Sequence, residues 1–173
     1  MSSKVIKGFG RGSKLLGIPT ANMCMKEVGH TADPMETGIY CGFARLGDVV
    51  YKAVVSIGWN PYFDNKEKTV EPHLLHDFGD NDFYGETLHL RICSYIRPEM
   101  NFVSLDDLIR AIHGDIAYAH QKLAEPEMLQ AGQALRDLDT GAAAAATPGA
   151  AATAPAVAPT AEDQAADEDG GDA

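Results

Sequence analysis

Hydrophobic and polar positions change their period partway along the chain. Residues 87–96 alternate: Leu88, Leu90 and Ile92 fall on one side, with His89 and Arg91 opposite. That is the pattern of a half-buried strand. Residues 39–46 and 49–57 are two runs rich in aromatic and β-branched residues, separated by Gly47-Asp48, and read as a hairpin. Gly58-Trp59-Asn60-Pro61 is expected to break the second run, and residues 64–68 form a polar loop. Residues 69–78 are the next extended run, followed by the turn cluster Gly79-Asp80-Asn81-Asp82. Val5 and Ile6 suit a short first strand. Residues 23–36 contain Gly29, Asp33 and Pro34, show no clean period, and read as a loop. Short strands joined by turn clusters predict a mainly β protein, an antiparallel barrel or sandwich.

Past residue 104 the period becomes helical. Ser104 can cap, with Asp107 three residues on. Leu105, Leu108, Ile109, Ile112, Ile116 and Leu123 then recur at three- and four-residue spacing and predict a helix packed on the sheet. Gly114 interrupts it at a cost of about 1 kcal/mol relative to alanine, so a packing reason for it is expected. Pro126 suits the first turn of a second, weaker helix reaching about Leu138. Beyond Asp139 an Ala/Pro/Thr tract ends in acids and holds no large side chain to bury, so it reads as a disordered tail. The expected division is a domain over residues 1–139 and a tail over 140–173.

Composition narrows the function classes. The 173 residues suit one ordinary domain, and 45% hydrophobic content is normal for a globular chain. The formal net charge is −11, of which the six acids and no base of the tail supply more than half. No excess of Lys and Arg marks a nucleic-acid surface. No apolar run approaches the ~20 residues of a membrane span. The N-terminus lacks the apolar core of a secretory signal, so the expected location is cytoplasmic. Cys24, Cys41 and Cys93 are too few and too scattered for a disulfide frame and are expected to be inert thiols. His73 and His76 lack partners at zinc spacing, and His73 reads as structural.

The chemistry concentrates in Gly8-Phe9-Gly10-Arg11-Gly12-Ser13-Lys14-Leu15-Leu16-Gly17-Ile18-Pro19-Thr20-Ala21-Asn22. Alternating glycines let backbone N–H groups approach an anion, and Arg11 and Lys14 add positive charge. In an extended segment Thr20 and Asn22 face the same way. Two neutral oxygens beside phosphates suit Mg²⁺, which keeps waters and takes few protein ligands. The order of Gly12, Ser13 and Lys14 fits neither a Walker A loop nor a Gly-x-Gly-x-x-Gly turn.

This stretch resembles the signature of the riboflavin kinase family. The resemblance continues through Thr37-Gly38-Ile39-Tyr40, Ser56-Ile57-Gly58-Trp59-Asn60-Pro61-Tyr62, Val70-Glu71-Pro72-His73, Phe83-Tyr84-Gly85-Glu86 and Tyr95-Ile96-Arg97-Pro98-Glu99. It implies a small antiparallel Greek-key β-barrel with a C-terminal helix packed on it. It also implies transfer of the γ-phosphate of ATP to the ribityl 5′-hydroxyl of riboflavin, giving FMN and ADP. On the same ground Gly8, Lys14, Thr20, Leu74, His76 and Tyr84 would bind ATP. Thr20 and Asn22 would hold Mg²⁺, with Zn²⁺ or Mn²⁺ as alternatives. Arg97, Met100 and Phe102 would bind the flavin, Met100 standing where some relatives carry lysine. Glu71 would be the catalytic base. The residues alone leave Glu71 open: a glutamate in an apolar run points outward or serves a site. Pro72 demotes that part of the strand to an edge or a bulge, and an edge is a place substrate can reach. Trp59 could stack on a flavin but reads as core. The expected partners are riboflavin, FMN, ATP and ADP, without nucleic acid or membrane, and the chain is expected to act as a monomer. Bacterial relatives often add a nucleotidyltransferase domain. No His-x-Gly-His motif occurs here, so the chain is expected to stop at FMN. The rival reading is a barrel that carries or senses FMN without catalysis, which would need neither Pro19-Thr20-Ala21-Asn22 nor Glu71.

Overall fold

The computed structural model describes residues 1–8, 18–59, 67–79 and 81–139. The phosphate-loop expectation beyond Gly8, including Lys14, lies outside them. So do the expected break from Asn60 on, most of the polar loop, and the tail from residue 140. The strands are β1 (Ser2–Ile6), β2 (Asn22–Met23), β3 (Gly38–Leu46), β4 (Val49–Trp59), β5 (Lys68–Leu74) and β6 (Thr87–Arg97). The helices are α1 (Met25–Ala32), α2 (Leu105–Lys122) and α3 (Pro126–Arg136), followed by a 3₁₀ turn over Asp137–Asp139.

All strand pairs are antiparallel, in the order β2-β1-β6-β3-β4-β5. Strands β3, β4 and β5 are successive neighbours and β6 returns beside β3, which is the Greek-key arrangement. The two outermost strands then curl toward each other. The Ala21 amide, just before β2, donates to the Pro72 carbonyl of β5 at 2.9 Å. The ladder is not continuous across this seam, but the contact gives the sheet its barrel-like form. β5 is an edge strand, as Pro72 requires. Amide and carbonyl of one strand residue point the same way. The Pro72 carbonyl faces the seam, so its missing N–H costs β4 no hydrogen bond.

Period-two alternation sorts the side chains onto two faces. Tyr40, Ala44, Ala53, Val55, Ile57, Val70, Leu74, Leu88 and Leu90 form the inner core. Cys41, Phe43 and Val54 face outward and are covered by Ala119, Leu123 and Leu135 of the helical segment. Cys93 falls on the helix side, but the register shift there pairs Ser94 with the outward Cys41 and Tyr95 with the inward Tyr40, so the parity read from Leu88 to Ile92 is reversed beyond Cys93. Burial pushes the Cys41 thiol up to about 11 and raises Cys93 as well, and a protonated thiol is unreactive.

Several expected boundaries move. The expected loop over 23–36 contains the end of β2 and the whole of α1. Burying Val28 fully contributes about 1.5–3 kcal/mol, which outweighs the ~1 kcal/mol cost of Gly29. The Glu27 carboxylate also accepts from the Lys4 amide at 3.0 Å. β4 does not break at Gly58 but runs on through Trp59. β5 stops at Leu74. Trp59 is not core: it is 47% exposed, with the Lys68 ammonium 5.2 Å from its ring centroid. That ammonium also donates to the carbonyls of Asp33 and Met35, at 2.7 and 2.6 Å, and ties the end of α1 to β5.

Helix α2 is capped as expected: the Asp107 amide donates to Ser104 Oγ at 3.1 Å. Its apolar stripe is covered best toward the C-terminal end, and Leu105 stays exposed. Gly114 has no packing reason, because a Cβ there would meet nothing within 4 Å. Gly114→Ala is therefore expected to stabilise the protein by about 0.5–1 kcal/mol. Chemical denaturation of both proteins, with an unchanged m-value, checks this.

Candidate active site

The segment 18–22 runs along the free edge of β5. Besides the Ala21–Pro72 bond, the His73 ring N–H at Nδ1 donates to the Pro19 carbonyl at 2.7 Å. His73 is thus structural, and its structure is the seam. Ile18, Ala21 and Met23 are buried, whereas Thr20 and Asn22 are half-buried and share the other side of the segment, as their spacing predicts. Gly8 closes on Asn22 from β1. A Cβ at Gly8 would lie 2.8 Å from Asn22 Cγ, so only glycine lets the start of the loop rest against that carboxamide.

Glu71 stands on the opposite edge of the same seam. Within β5, Val70, Pro72 and Leu74 point inward, and Thr69, Glu71 and His73 point outward. The register extends that outward face into a row across four strands. Glu71 of β5 pairs with Ser56 of β4, Ser56 with Ile39 of β3, and Ile39 with Arg97 of β6. Directly paired residues share a face. Glu71 and Arg97 therefore lie on one face, three strand spacings apart, about 14 Å along the sheet.

Arg97 is held before any ligand arrives. Its Nε and Nη2 donate to the two carboxylate oxygens of Asp115 in α2, at 2.9 and 2.6 Å, and Nη1 donates to the Pro98 carbonyl at 3.1 Å. The fork geometry fixes the guanidinium plane. Its remaining N–H donors stay available, and its centre lies 5.8 Å from the Phe102 ring centroid. Met100 is exposed on the same loop. Asp115 is 5% exposed and was not anticipated. Its signal was an acid within the apolar spacing of α2, one turn from Ile112 and Ala119.

The remaining expected nucleotide contacts separate. Leu74 is in the inner core, on the other face of β5 from Glu71. His76 is exposed and joins Tyr51, Phe78 and Phe83 in a chain of ring contacts with centroids 4.8–5.3 Å apart. Tyr84 follows Phe83 and is 55% exposed. The turn that carries it is pinned to β1, because the Gly85 amide donates to the Val5 carbonyl at 2.8 Å. Gly8, three residues beyond Val5, thus leaves β1 near Tyr84.

The donors at the seam test which cation fits. Thr20 and Asn22 offer neutral oxygens, which match a hard cation that keeps waters and takes phosphate oxygens. Among the described residues, no group of three or more His, Cys, Asp or Glu is placed to hold a metal ion. Among the described residues, no helix is long and apolar enough to cross a membrane.

The chain is similar to proteins of one family. The Flavokinase family model, described as riboflavin kinase, matches residues 1–123. The chain is 52% identical over 128 residues to riboflavin kinase of Homo sapiens, covering 73% of this chain and 82% of that protein. It is 58% identical over 123 residues to the bifunctional riboflavin kinase/FMN phosphatase of Arabidopsis thaliana, 70% of this chain but only 32% of that longer protein. The crystal structure of riboflavin kinase from Trypanosoma brucei superposes with a TM-score of 0.63 at 28% identity. That match covers 84% of this chain and 90% of the other.

Proposed function

The chain belongs to the riboflavin kinase family, and on that premise we propose that it phosphorylates riboflavin at the ribityl 5′-hydroxyl with ATP, releasing FMN and ADP. The observation that carries the reading is the seam: Thr20-Ala21-Asn22 is bonded to the strand that bears Glu71. This supports a reading in which the segment of Thr20 and Asn22 serves the phosphates and Glu71 accepts the proton beside it.

In this reading Glu71 takes the 5′-hydroxyl proton as the oxygen attacks the γ-phosphorus. The new O–P bond forms as the bond to the bridging β–γ oxygen breaks, and ADP leaves with that electron pair. Alignment and charge stabilisation carry most of such a transfer. Gly8, Lys14 and Thr20 align the nucleotide, with His76 and Tyr84 toward its base, whereas Leu74 is buried in the inner core and supports β5 from within. Arg97, Met100 and Phe102 hold the flavin ring at the far end of the row. A divalent cation held by Thr20 and Asn22, Mg²⁺ foremost, would neutralise phosphate charge. The same reading has the protein act in the cytoplasm as a monomer, and its acidic balance argues against nucleic acid as a partner. It also assigns residues 1–139 to the kinase domain and 140–173 to an accessory tail.

The test is a coupled assay in which purified protein converts riboflavin to FMN with stoichiometric ADP. Flavin binding without ADP would favour the rival, a non-catalytic flavin carrier. Within the assay, Asn22→Ala should raise the Mg²⁺ concentration for half-maximal rate by about 10-fold or more, the scale seen even for residues that only support metal ligands. Gly8→Ala should do the same by displacing the Asn22 carboxamide. An unchanged Mg²⁺ titration in both variants removes Asn22 from the metal site.

A further inference from the structure

The loop after β6 does not stay with its own strand. It crosses the end of β3 and lays the Glu99 side chain over Gly58 of β4. A Cβ on Gly58 would lie 3.0 Å from Glu99 Cδ and closer still to Oε1, so the carboxylate occupies the space a side chain would fill. Gly58 pairs with Thr69 and is two residues from Ser56, the partner of Glu71. Alternation puts Gly58, Ser56, Thr69 and Glu71 on one face. The Glu99 carboxylate therefore lies above the sheet between Arg97 and Phe102 on one side and Glu71 on the other. It is one strand spacing from the strand of Glu71 and two from that of Arg97. It makes no hydrogen bond or ion pair with another described residue.

A substrate that places its ring at Arg97 and its terminal hydroxyl at Glu71 would run its polyol chain past that position, which lies two strand residues, about 7 Å, to the side of the row. We propose that Glu99 is a specificity-determining residue that accepts a hydrogen bond from a ribityl hydroxyl of the acceptor. The 3′ or 4′ hydroxyl fits, because the carboxylate lies nearer the phosphoryl-transfer end than the ring end. Gly58 is its structural counterpart, since only a residue without Cβ lets the carboxylate descend to the sheet. The inference rests on the riboflavin kinase reading of the same site.

The experiment compares kcat/KM for riboflavin with kcat/KM for flavins lacking the 2′, 3′ or 4′ hydroxyl. It uses wild type, Glu99→Gln, Glu99→Ala and Gly58→Ala. In the wild type, loss of the 3′ or the 4′ hydroxyl should cost about 10-fold or more, the scale of a hydrogen bond to a charged group, and loss of the 2′ hydroxyl much less. Glu99→Ala should lose a similar factor on riboflavin and no longer distinguish the deoxy flavin. Gly58→Ala should show the same signature, and Glu99→Gln should keep part of the discrimination. A Glu99→Ala variant that slows every flavin equally, or none, overturns the proposal. Uniform slowing would reduce Glu99 to support of the loop. A wild-type protein that leaves riboflavin unphosphorylated would instead overturn the functional reading beneath it.

Discussion

Glu71→Gln is expected to lower single-turnover phosphorylation by about 10²–10⁴-fold, the range for a positioned general base. Binding of riboflavin and Mg·ATP should change little. Glutamine keeps the shape and one acceptor oxygen and removes the basic carboxylate. The strand should tolerate the change, because Glu71 faces outward while Val70, Pro72 and Leu74 anchor β5 in the core. Rapid-quench measurement at saturating substrates separates the chemical step from product release. A Gln variant that transfers phosphate within a few-fold of wild type would exclude Glu71 as the base. A drop in melting temperature with turnover per folded molecule preserved would give Glu71 a structural role instead.

Asp115→Ala should produce the largest stability loss outside the inner core. It strips the buried partner from Arg97 and leaves two guanidinium donors unmatched. Breaking a buried pair from one side costs about 3–5 kcal/mol. The Arg97 side chain keeps 19% of its exposure, so the low end of that range is expected. For a domain of this size that shifts Tm by on the order of 10 °C. The freed guanidinium should also raise KM for riboflavin, with kcat preserved because Glu71 is three strands away. Asp115→Asn, which keeps one acceptor oxygen, should recover part of both effects. Thermal melts and steady-state kinetics on the folded fraction check the two arms together. An unchanged riboflavin KM in a destabilised Asp115→Ala protein would separate Arg97 from flavin binding.

These two residues mark how far the sequence could be read. The outward facing of Glu71 on an edge strand was legible because its signal is local, a charged residue in an apolar run followed by a proline, whereas its proposed role as base rests on the resemblance alone. The facing of Thr20 and Asn22 was legible for the same reason. Asp115 was visible as an acid on an apolar stripe, but its partner lies 18 positions away on β6, and only the docking of α2 on the sheet joins them. Helix α1 was hidden because Val28 and Ala32 hold it in place through tertiary burial, while Gly29 and Pro34 dominate the local pattern. Trp59 misled because size suggests burial, whereas a strand end offers a cation to cover the ring instead. The Glu99–Gly58 approach depends on a loop crossing another strand, which no spacing rule contains.

On the proposed reading of the site, the seam between Ala21 and Pro72 also couples folding to ligation. The groups that would hold the nucleotide and its cation lie on one border of the sheet, and the proton acceptor lies on the other. Opening the border would expose Val5, Met23 and Val70 to water and pull the reacting groups apart in the same event. A nucleotide and acceptor that span both borders act as a clasp, bound only by the closed form, so occupancy adds to closure by mass action. Pro72 keeps the border from zipping completely, because it has no amide with which to continue the ladder.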